Sequence, residues 1–226
     1  VLLSGGSGKR LCPLSNNVRS KQFLPLLEKE DGTIESMVQR VVRQAKAAGL
    51  TNAITLATNT SQLDIITNQL GDTVSVVTEP ECRDTFPAIA LAASYLHFAK
   101  CCADDEVIVI MPCDPYTEAD YFETIGKMVE CVKRDVAELV LMGITPTYPS
   151  EKYGYVMPIA SDNEYKMVSY FTEKPTVERA KELLAENAYW NGGVFAFRLG
   201  YMMNIVKKYI ALNSFEDTRN RCLLYT

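Results

Sequence analysis

Apolar residues at Ile34, Met37, Val38, Val41, Val42 and Ala45 repeat with the period of a helix, with Thr33 placed to cap it and Gly49 to stop it. The pattern predicts a helix over residues 34–48. Beyond it, 53–57 reads as a buried strand, 62–70 as a short helix and 73–78 as a strand rich in β-branched residues. Pro87 suits the first position of a helix reaching residue 100, with Thr85 or Phe86 before it. Residues 106–111 form the most apolar short run of the chain, bounded by charges on one side and Pro112 on the other, as expected of a central strand. A helix over 119–134 and a strand over 139–144 follow. Strands alternating with helices predict an α/β fold with a doubly wound, mostly parallel sheet. Ligands of such sheets bind beyond the carboxyl ends of the strands.

The texture changes after Pro146. Residues 152–156 and 165–174 predict strands, 177–186 a helix, 190–198 a strand and 199–209 a last helix. No linker or composition break separates the halves, so the pattern predicts one domain over 1–226 with a mixed second half.

The first strand, Val1-Leu2-Leu3, runs into Ser4-Gly5-Gly6-Ser7-Gly8-Lys9-Arg10. Glycines let a ligand approach the backbone, and successive N–H groups beside two cations suit a polyphosphate. The loop is neither of the two best-known glycine motifs. A P-loop needs Gly where Leu3 stands and Ser or Thr where Arg10 stands, and the third glycine of a dinucleotide fingerprint would fall on Leu11. A second carboxyl end, after the apolar run, presents Cys113-Asp114.

Composition narrows the chemistry. The 226 residues carry a net charge of −5, which leaves no broad basic surface for nucleic acid, so any phosphate must be held by a few local cations. No apolar run reaches the length of a membrane span and no signal peptide opens the sequence, which starts inside a strand; further residues are expected before it. Seven cysteines without a C-x-x-C pair predict reduced thiols in a cytoplasmic protein and argue against zinc. The one histidine, His97, lies in an apolar helical pattern, so Ser-His and Cys-His nucleophiles are not expected.

Seven pieces in order form one larger pattern: Gly5 to Leu14, Lys21-Gln22-Phe23-Leu24-Pro25-Leu26, Glu79 to Ala90, Met111-Pro112-Cys113-Asp114, Tyr153-Gly154-Tyr155, Phe171-Thr172-Glu173-Lys174-Pro175 and Trp190 to Phe195. In these the chain resembles the sugar-nucleotide pyrophosphorylases, most closely the mannose-1-phosphate guanylyltransferases. The Glu79-Pro80…Arg83…Thr85…Pro87-Ala88-Ile89 piece points to the guanylyl branch. The resemblance implies a Rossmann-like fold of the nucleotide-diphospho-sugar transferase type. It also implies transfer of a guanylyl group from GTP to mannose-1-phosphate with Mg²⁺, giving GDP-mannose and pyrophosphate. A homodimer is one assembly it allows.

The resemblance assigns Gly5, Gly6, Gly8 and Arg10 to the triphosphate, Lys21 to charge at the α-phosphate or leaving pyrophosphate, and Asp114 to the metal. It assigns Glu79, Arg83, Thr85, Pro87 and Ala88 to the nucleotide, with Gly154, Glu173, Lys174 and Asn191 on the sugar phosphate. A phosphate monoester is largely dianionic at neutral pH, its second pKa being about 6, so the attacking oxygen needs no general base. Charge neutralisation and in-line positioning are what remain to be supplied.

The chain departs from the family at Asp84, where Asn is usual, at Pro115, where His is frequent, and at Gly192, where Ser is common. Near the end, Ser214-Phe215-Glu216-Asp217 runs directly into Thr218 to Tyr225, which reads as the strand that follows the family's second acidic metal ligand. A segment missing after Asp217 is therefore expected. The competing readings are a non-catalytic nucleotide- or sugar-phosphate-binding paralogue, and the same reaction with another NTP or hexose-1-phosphate. Retention of Arg10, Lys21, Asp114, Glu173 and Lys174 together favours an enzyme.

Overall fold

A computed structural model describes residues 1–5, 14–16, 19–51, 53–80, 85–210 and 214–222. Along the chain these form β1 (Leu2–Leu3), β2 (Pro25–Glu28), β3 (Ile34–Ser36), α1 (Met37–Ala47), β4 (Thr55–Asn59), α2 (Leu63–Leu70), β5 (Ser75–Glu79) and α3 (Thr85–Ser94). Then come β6 (Val107–Pro112), α4 (Ala119–Lys133), β7 (Leu139–Ile144), β8 (Tyr155–Pro158), β9 (Val168–Thr172), α5 (Val177–Ala185), β10 (Tyr189–Arg198), α6 (Leu199–Ile210) and α7 (Phe215–Cys222). Internal contacts divide the chain into two compact units, 1–140 with 195–226 and 141–194. The second begins close to the change of texture at Pro146.

In the first unit the strand order is β5-β4-β1-β6, followed by the last residues of β10. The first four strands are parallel: β4 pairs with β5 from Thr55↔Ser75 to Asn59↔Glu79, and β1 pairs with β4 and β6 through Leu2↔Leu56 and Leu2↔Met111. β10 runs antiparallel to β6, Phe195 opposite Ile110 and Arg198 opposite Val107. Ile108, Ile110 and Phe197 bury against Ala90, Ala93, Met202, Met203 and Val206 of α3 and α6. The expected mostly parallel α/β sheet is therefore present. No described helix is long and apolar enough to cross a membrane.

The helix expected from Ile34 begins three residues later, at Met37. Ile34 instead pairs with Glu28 in the β2–β3 hairpin, half its surface exposed. Thr33 does not cap a helix; its N–H and hydroxyl both donate to Asp31 Oδ1 at the hairpin turn, where Gly32 takes φ +77°. Ser36 takes over the capping role. Its Oγ accepts from Gln39 N, Gln39 Oε1 accepts from Ser36 N at 2.9 Å, and Ser36 Oγ also donates to Gln69 Oε1 at 2.7 Å. A reciprocal cap of this kind satisfies two otherwise orphaned donors, which outweighs the apolar periodicity running back to Ile34.

Two more boundaries differ. α3 starts at Thr85 and holds Pro87 as its third residue, where the missing N–H costs nothing because the first turn's donors lack intrahelical partners. The chain then continues as a π-helical turn, Tyr95–Ala99. Thr218 lies in α7 rather than in the expected strand; its N donates to Ser214 O at 3.3 Å.

In the second unit, β8 pairs antiparallel with β9, Tyr155↔Thr172 to Met157↔Tyr170, and with the start of β10 through Tyr189↔Val156 and Trp190↔Tyr155. α5 covers them, burying Ala180 and Leu183 against Tyr155 and Met157. The Tyr155 hydroxyl accepts from Ser150 N at 2.8 Å and donates to Ser150 O at 3.1 Å, fixing the approach to β8.

Replacing Ser36 by Ala removes the cap and the link to Gln69 together. The expected cost is about 1–2 kcal/mol of unfolding free energy, read as a lower urea midpoint at unchanged slope. An unchanged midpoint would show that the reciprocal cap does not hold α1.

Candidate active site

The carboxyl ends of β1, β4, β5 and β6 lead to Ser4-Gly5, Asn59, Glu79 and Cys113-Asp114. The parallel register brings these ends to one edge. Cys113 N donates to Leu3 O at 3.2 Å and Ser4 N to Ala57 O at 2.8 Å, so the chain leaving β1 is held on both sides. The space around Gly5 is open, and a Cβ there would meet nothing within 4 Å.

Lys21 belongs to this edge although its segment lies outside the parallel sheet. It opens a single 3₁₀ turn, Lys21–Phe23, ahead of β2, and its ammonium forms an ion pair with Asp114 Oδ2. Lys21 is about half exposed and Asp114 a quarter exposed, so both remain within reach of a ligand.

Beneath the pair lies a buried polar network that the sequence did not announce. Gln62 Oε1 accepts from Ser4 Oγ at 3.1 Å and from Thr58 Oγ1 at 2.5 Å, and Gln62 Nε2 donates to Ser20 Oγ at 3.0 Å. Gln22 Nε2 donates to Ser4 Oγ at 2.9 Å. Ser4 and Ser20 adjoin motifs and Gln22 lies inside one, so these three carried a weak signal. Gln62, placed by a turn after β4, carried none.

Two neighbours of Asp114 have their protons held firmly. Burial, reinforced by Asp114, pushes the Cys113 thiol up to about 12, which removes it as a thiolate nucleophile. The Tyr121 hydroxyl, buried and without a partner among the described residues, is raised to about 12 by burial and by Asp114. His97 pairs with Asp104 at 3.1 Å, in the loop before β6, whereas Asp114 follows that strand. A strand of this length spans roughly 20 Å. His97 is thus structural, as its apolar pattern implied.

Among the nucleotide residues, Glu79 ends β5 and is 5% exposed, Ala88 is buried on α3, and Thr85 and Pro87 lie in that helix's first turn. Gly6, Gly8, Arg10 and Arg83 lie outside the described residues.

The second unit gathers the other four. Asn191 N donates to Gly154 O at 2.8 Å, and Asn191 Oδ1 accepts from Gly193 N at 3.1 Å. At Gly154 a Cβ would stand 2.5 Å from Phe171 Cζ and 2.7 Å from Glu173 Oε2, so a side chain there would displace both of these exposed groups. Glu173 and Lys174, expected on a strand, lie just past the end of β9, because Lys174 takes φ +42° ahead of Pro175 and turns the chain out of the ladder. Their side chains form an ion pair at 3.2 Å.

No group of three or more His, Cys, Asp or Glu among the described residues could hold a metal by itself. A one-carboxylate site is still compatible with Mg²⁺, which takes one or two carboxylates and completes its shell with phosphate oxygens and water.

The family profile described as nucleotidyl transferase matches residues 1–220. The chain belongs to the nucleotidyl transferase family. It is 33% identical to the alginate biosynthesis protein AlgA of Pseudomonas syringae pv. tomato over 99% of its own length and 45% of that protein. Against a mannose-1-phosphate guanylyltransferase of Sinorhizobium fredii it is 33% identical, covering 88% of this chain and 38% of the relative. The chain thus spans about half the length, or less, of these curated relatives. A Thermus thermophilus crystal structure described as a mannose-1-phosphate geranyltransferase superposes with a TM-score of 0.78 at 27% identity, over 97% of this chain and 66% of that one. A UDP-glucose pyrophosphorylase solved with UDP-glucose shares the fold, with a TM-score of 0.65 at 14% identity. The resemblance drawn from the seven motifs is therefore to the right family, and the fold is of the expected nucleotide-diphospho-sugar transferase type.

In this member of the nucleotidyl transferase family, burial raises the Glu79 carboxyl from 4.5 to about 7. Between those values the folded chain keeps a proton that the unfolded chain has released, so stability falls as pH rises through that window. Glu79→Gln should flatten this slope and gain roughly 2–3 kcal/mol on the wild type by about pH 8. Urea unfolding at about pH 5 and about pH 8 reads the difference; equal pH slopes in the two proteins would refute it.

Proposed function

We propose that this chain transfers a nucleotidyl group from a nucleoside triphosphate to a sugar-1-phosphate, with GTP and mannose-1-phosphate as the pair. The observation that carries this reading is the Lys21–Asp114 ion pair at the carboxyl edge of the sheet. A cation and a carboxylate that neutralise each other without ligand are the two groups such a reaction needs apart. On this reading, Lys21 turns to the α-phosphate or the departing pyrophosphate, and Asp114 is the residue that would hold Mg²⁺. The metal, when bound, would neutralise charge on the triphosphate oxygens.

The other roles follow in the same terms. Gly5, Gly6, Gly8 and Arg10 cradle the triphosphate, and Glu79, Arg83, Thr85, Pro87 and Ala88 form the nucleoside pocket. Glu173 accepts from sugar hydroxyls, and Lys174 meets the sugar phosphate. Asn191 offers its Nδ2 donors because its Oδ1 is occupied by Gly193 N. Gly154 keeps the Glu173 carboxylate in place by having no side chain. The attacking phosphate oxygen is already ionised, consistent with an edge holding neither a histidine nor a reactive thiol among the described residues. The free Cys101, Cys102, Cys113 and Cys131 are in keeping with a cytoplasmic setting.

Pyrophosphate release with Mg²⁺ and mannose-1-phosphate, comparing GTP, ATP, UTP, CTP and dTTP, tests the reading. Turnover should be fastest with GTP, and Lys21→Ala and Asp114→Asn should each lower kcat by about 100-fold or more. Preference for another nucleotide would overturn the substrate. Nucleotide binding without turnover would turn the reading to a non-catalytic paralogue.

Gly154→Ala separates the sugar side. The new methyl displaces Glu173 and the exposed Phe171 ring, so KM for the sugar phosphate should rise about tenfold while KM for the triphosphate holds. Equal rises in both would refute the assignment of Gly154 and Glu173 to the sugar.

A further inference from the structure

The Lys21 turn is gripped from outside its own motif. Two glutamines of one segment do the gripping: Gln62 Nε2 donates to Ser20 Oγ at 3.0 Å on one side of Lys21, and Gln69 Nε2 donates to Phe23 O at 2.8 Å on the other. Phe23 N closes the turn onto Ser20 O at 3.0 Å. The same Gln62 carboxamide accepts from Ser4 at the end of β1 and from Thr58 within β4. One side chain thus ties the strand end that leads into the glycine loop, the neighbouring strand and the turn bearing Lys21. The link continues toward the carboxylate, because Cys113, next in sequence to Asp114, donates its N to the carbonyl of Leu3, the neighbour of Ser4, at 3.2 Å.

We propose that Gln62 is a positioning residue for the transfer reaction, its buried carboxamide fixing the Lys21 turn relative to β1 and so the Lys21–Asp114 pair. This rests on the transfer reading above. Three observations distinguish it from a satisfied core glutamine. Gln62, Ser4, Ser20, Gln22 and Thr58 are all 2% exposed or less, so water cannot substitute for a lost partner. The network flanks, at Ser20 and Gln22, a residue that is itself about half exposed, so a buried base carries an exposed, rotamer-rich cation. It also leaves Gln22 Oε1 buried without a partner among the described residues, a cost that a network built for stability alone would avoid.

Gln62 does not touch the reacting atoms; its effect passes through Ser20 and Ser4. Gln62→Met keeps the volume and deletes all three hydrogen bonds. In the full chain it should lower kcat by about 10- to 100-fold, since misplacement on the order of 1 Å at a catalytic group costs that much. KM for the sugar phosphate should stay within about twofold. In a Lys21→Ala background the same substitution should cause little further loss, because its route to the reaction is already gone. Ile66→Ala, a core truncation on α2, serves as the control for destabilisation and should leave the kcat of folded protein unchanged.

A readout independent of turnover is the acetylation rate of the Lys21 amine, measured by mass spectrometry against exposed Lys133. Gln62→Met should raise it about threefold or more, as the ion pair with Asp114 loosens. Ser20→Ala, which cuts a single link, should shift it the same way even if Gln62→Met does not fold. Unchanged Lys21 labelling in both variants, or kcat losses that multiply with Lys21→Ala, would overturn the proposal. Absence of turnover in the wild type would sink the transfer reading alone, and the labelling would still decide whether Gln62 positions Lys21.

Discussion

The constraint on which the first unit depends is the parallel pairing of a two-residue strand between two longer ones. Leu2 and Leu3 lie between Leu56-Ala57 of β4 and Met111-Pro112 of β6. A strand this short has little ladder of its own, so its flanks are pinned by further bonds: Ser4 N to Ala57 O at 2.8 Å and Cys113 N to Leu3 O at 3.2 Å. Everything proposed to handle phosphate is measured from that pinned exit. The glycine loop leaves from it, Asp114 follows the strand beside it, and Lys21 is held to it through Ser4, Gln22, Ser20 and Gln62. A glycine-rich backbone cannot locate a ligand by its own stiffness, and the described start of this one, at Ser4, is fixed by bonds to Ala57, Gln62 and Gln22.

Electrostatics then decides what that edge can do. The chain is acidic overall, at −5, so a polyanionic ligand is not drawn by the whole surface and must be met by individual cations. Lys21 in the first unit and, separately, Lys174 in the second are each paired with a carboxylate, Asp114 and Glu173. Partly exposed pairs of this kind contribute on the order of 1 kcal/mol or less, which is little to give up when a phosphate arrives. On the proposed reading, each pair would hold its cation near a ligand at a cost that binding offsets. On the same reading the two carboxylates would be freed, Asp114 for a hard cation and Glu173 for hydroxyl donors.

Much of this was legible in the sequence because the chemistry is local. Gly5, Glu79 and Asp114 each lie at or just past the end of an apolar run, and alternation of strand and helix places such ends at one edge of a parallel sheet, whereas Lys21 was found by its motif. What escaped was set by contacts between distant residues. The helix expected from Ile34 lost its first turn to a hairpin closed by Asp31 and Thr33, and its true start, set by the reciprocal Ser36–Gln39 cap, is tied down by Gln69, 33 positions from Ser36. Gln62 was unreadable for the same reason: nothing in Thr60-Ser61-Gln62 marks a residue that will reach back 58 positions to Ser4. Glu173 and Lys174 were found by motif yet misplaced in geometry. Strand periodicity predicts alternating directions and carries no signal for a left-handed residue.

That left-handed residue is informative about the sugar-phosphate side. Lys174 has φ +42°, a conformation that costs a side chain with a Cβ of order 1 kcal/mol or more, and it does so directly before Pro175. Had the chain stayed extended, Glu173 and Lys174 would have pointed to opposite faces of the strand, and only one could have met a given ligand. Turning the backbone at Lys174 brings the ammonium to 3.2 Å from the Glu173 carboxylate instead. The absent side chain at Gly154 leaves room for that carboxylate, with Glu173 Oε2 standing 2.7 Å from where a Cβ would be. Strain at one residue and a missing side chain at another thus serve one arrangement, which puts a donor and an acceptor side by side. On the proposed reading, a phosphorylated sugar asks for both at neighbouring positions, and the strain would serve that use.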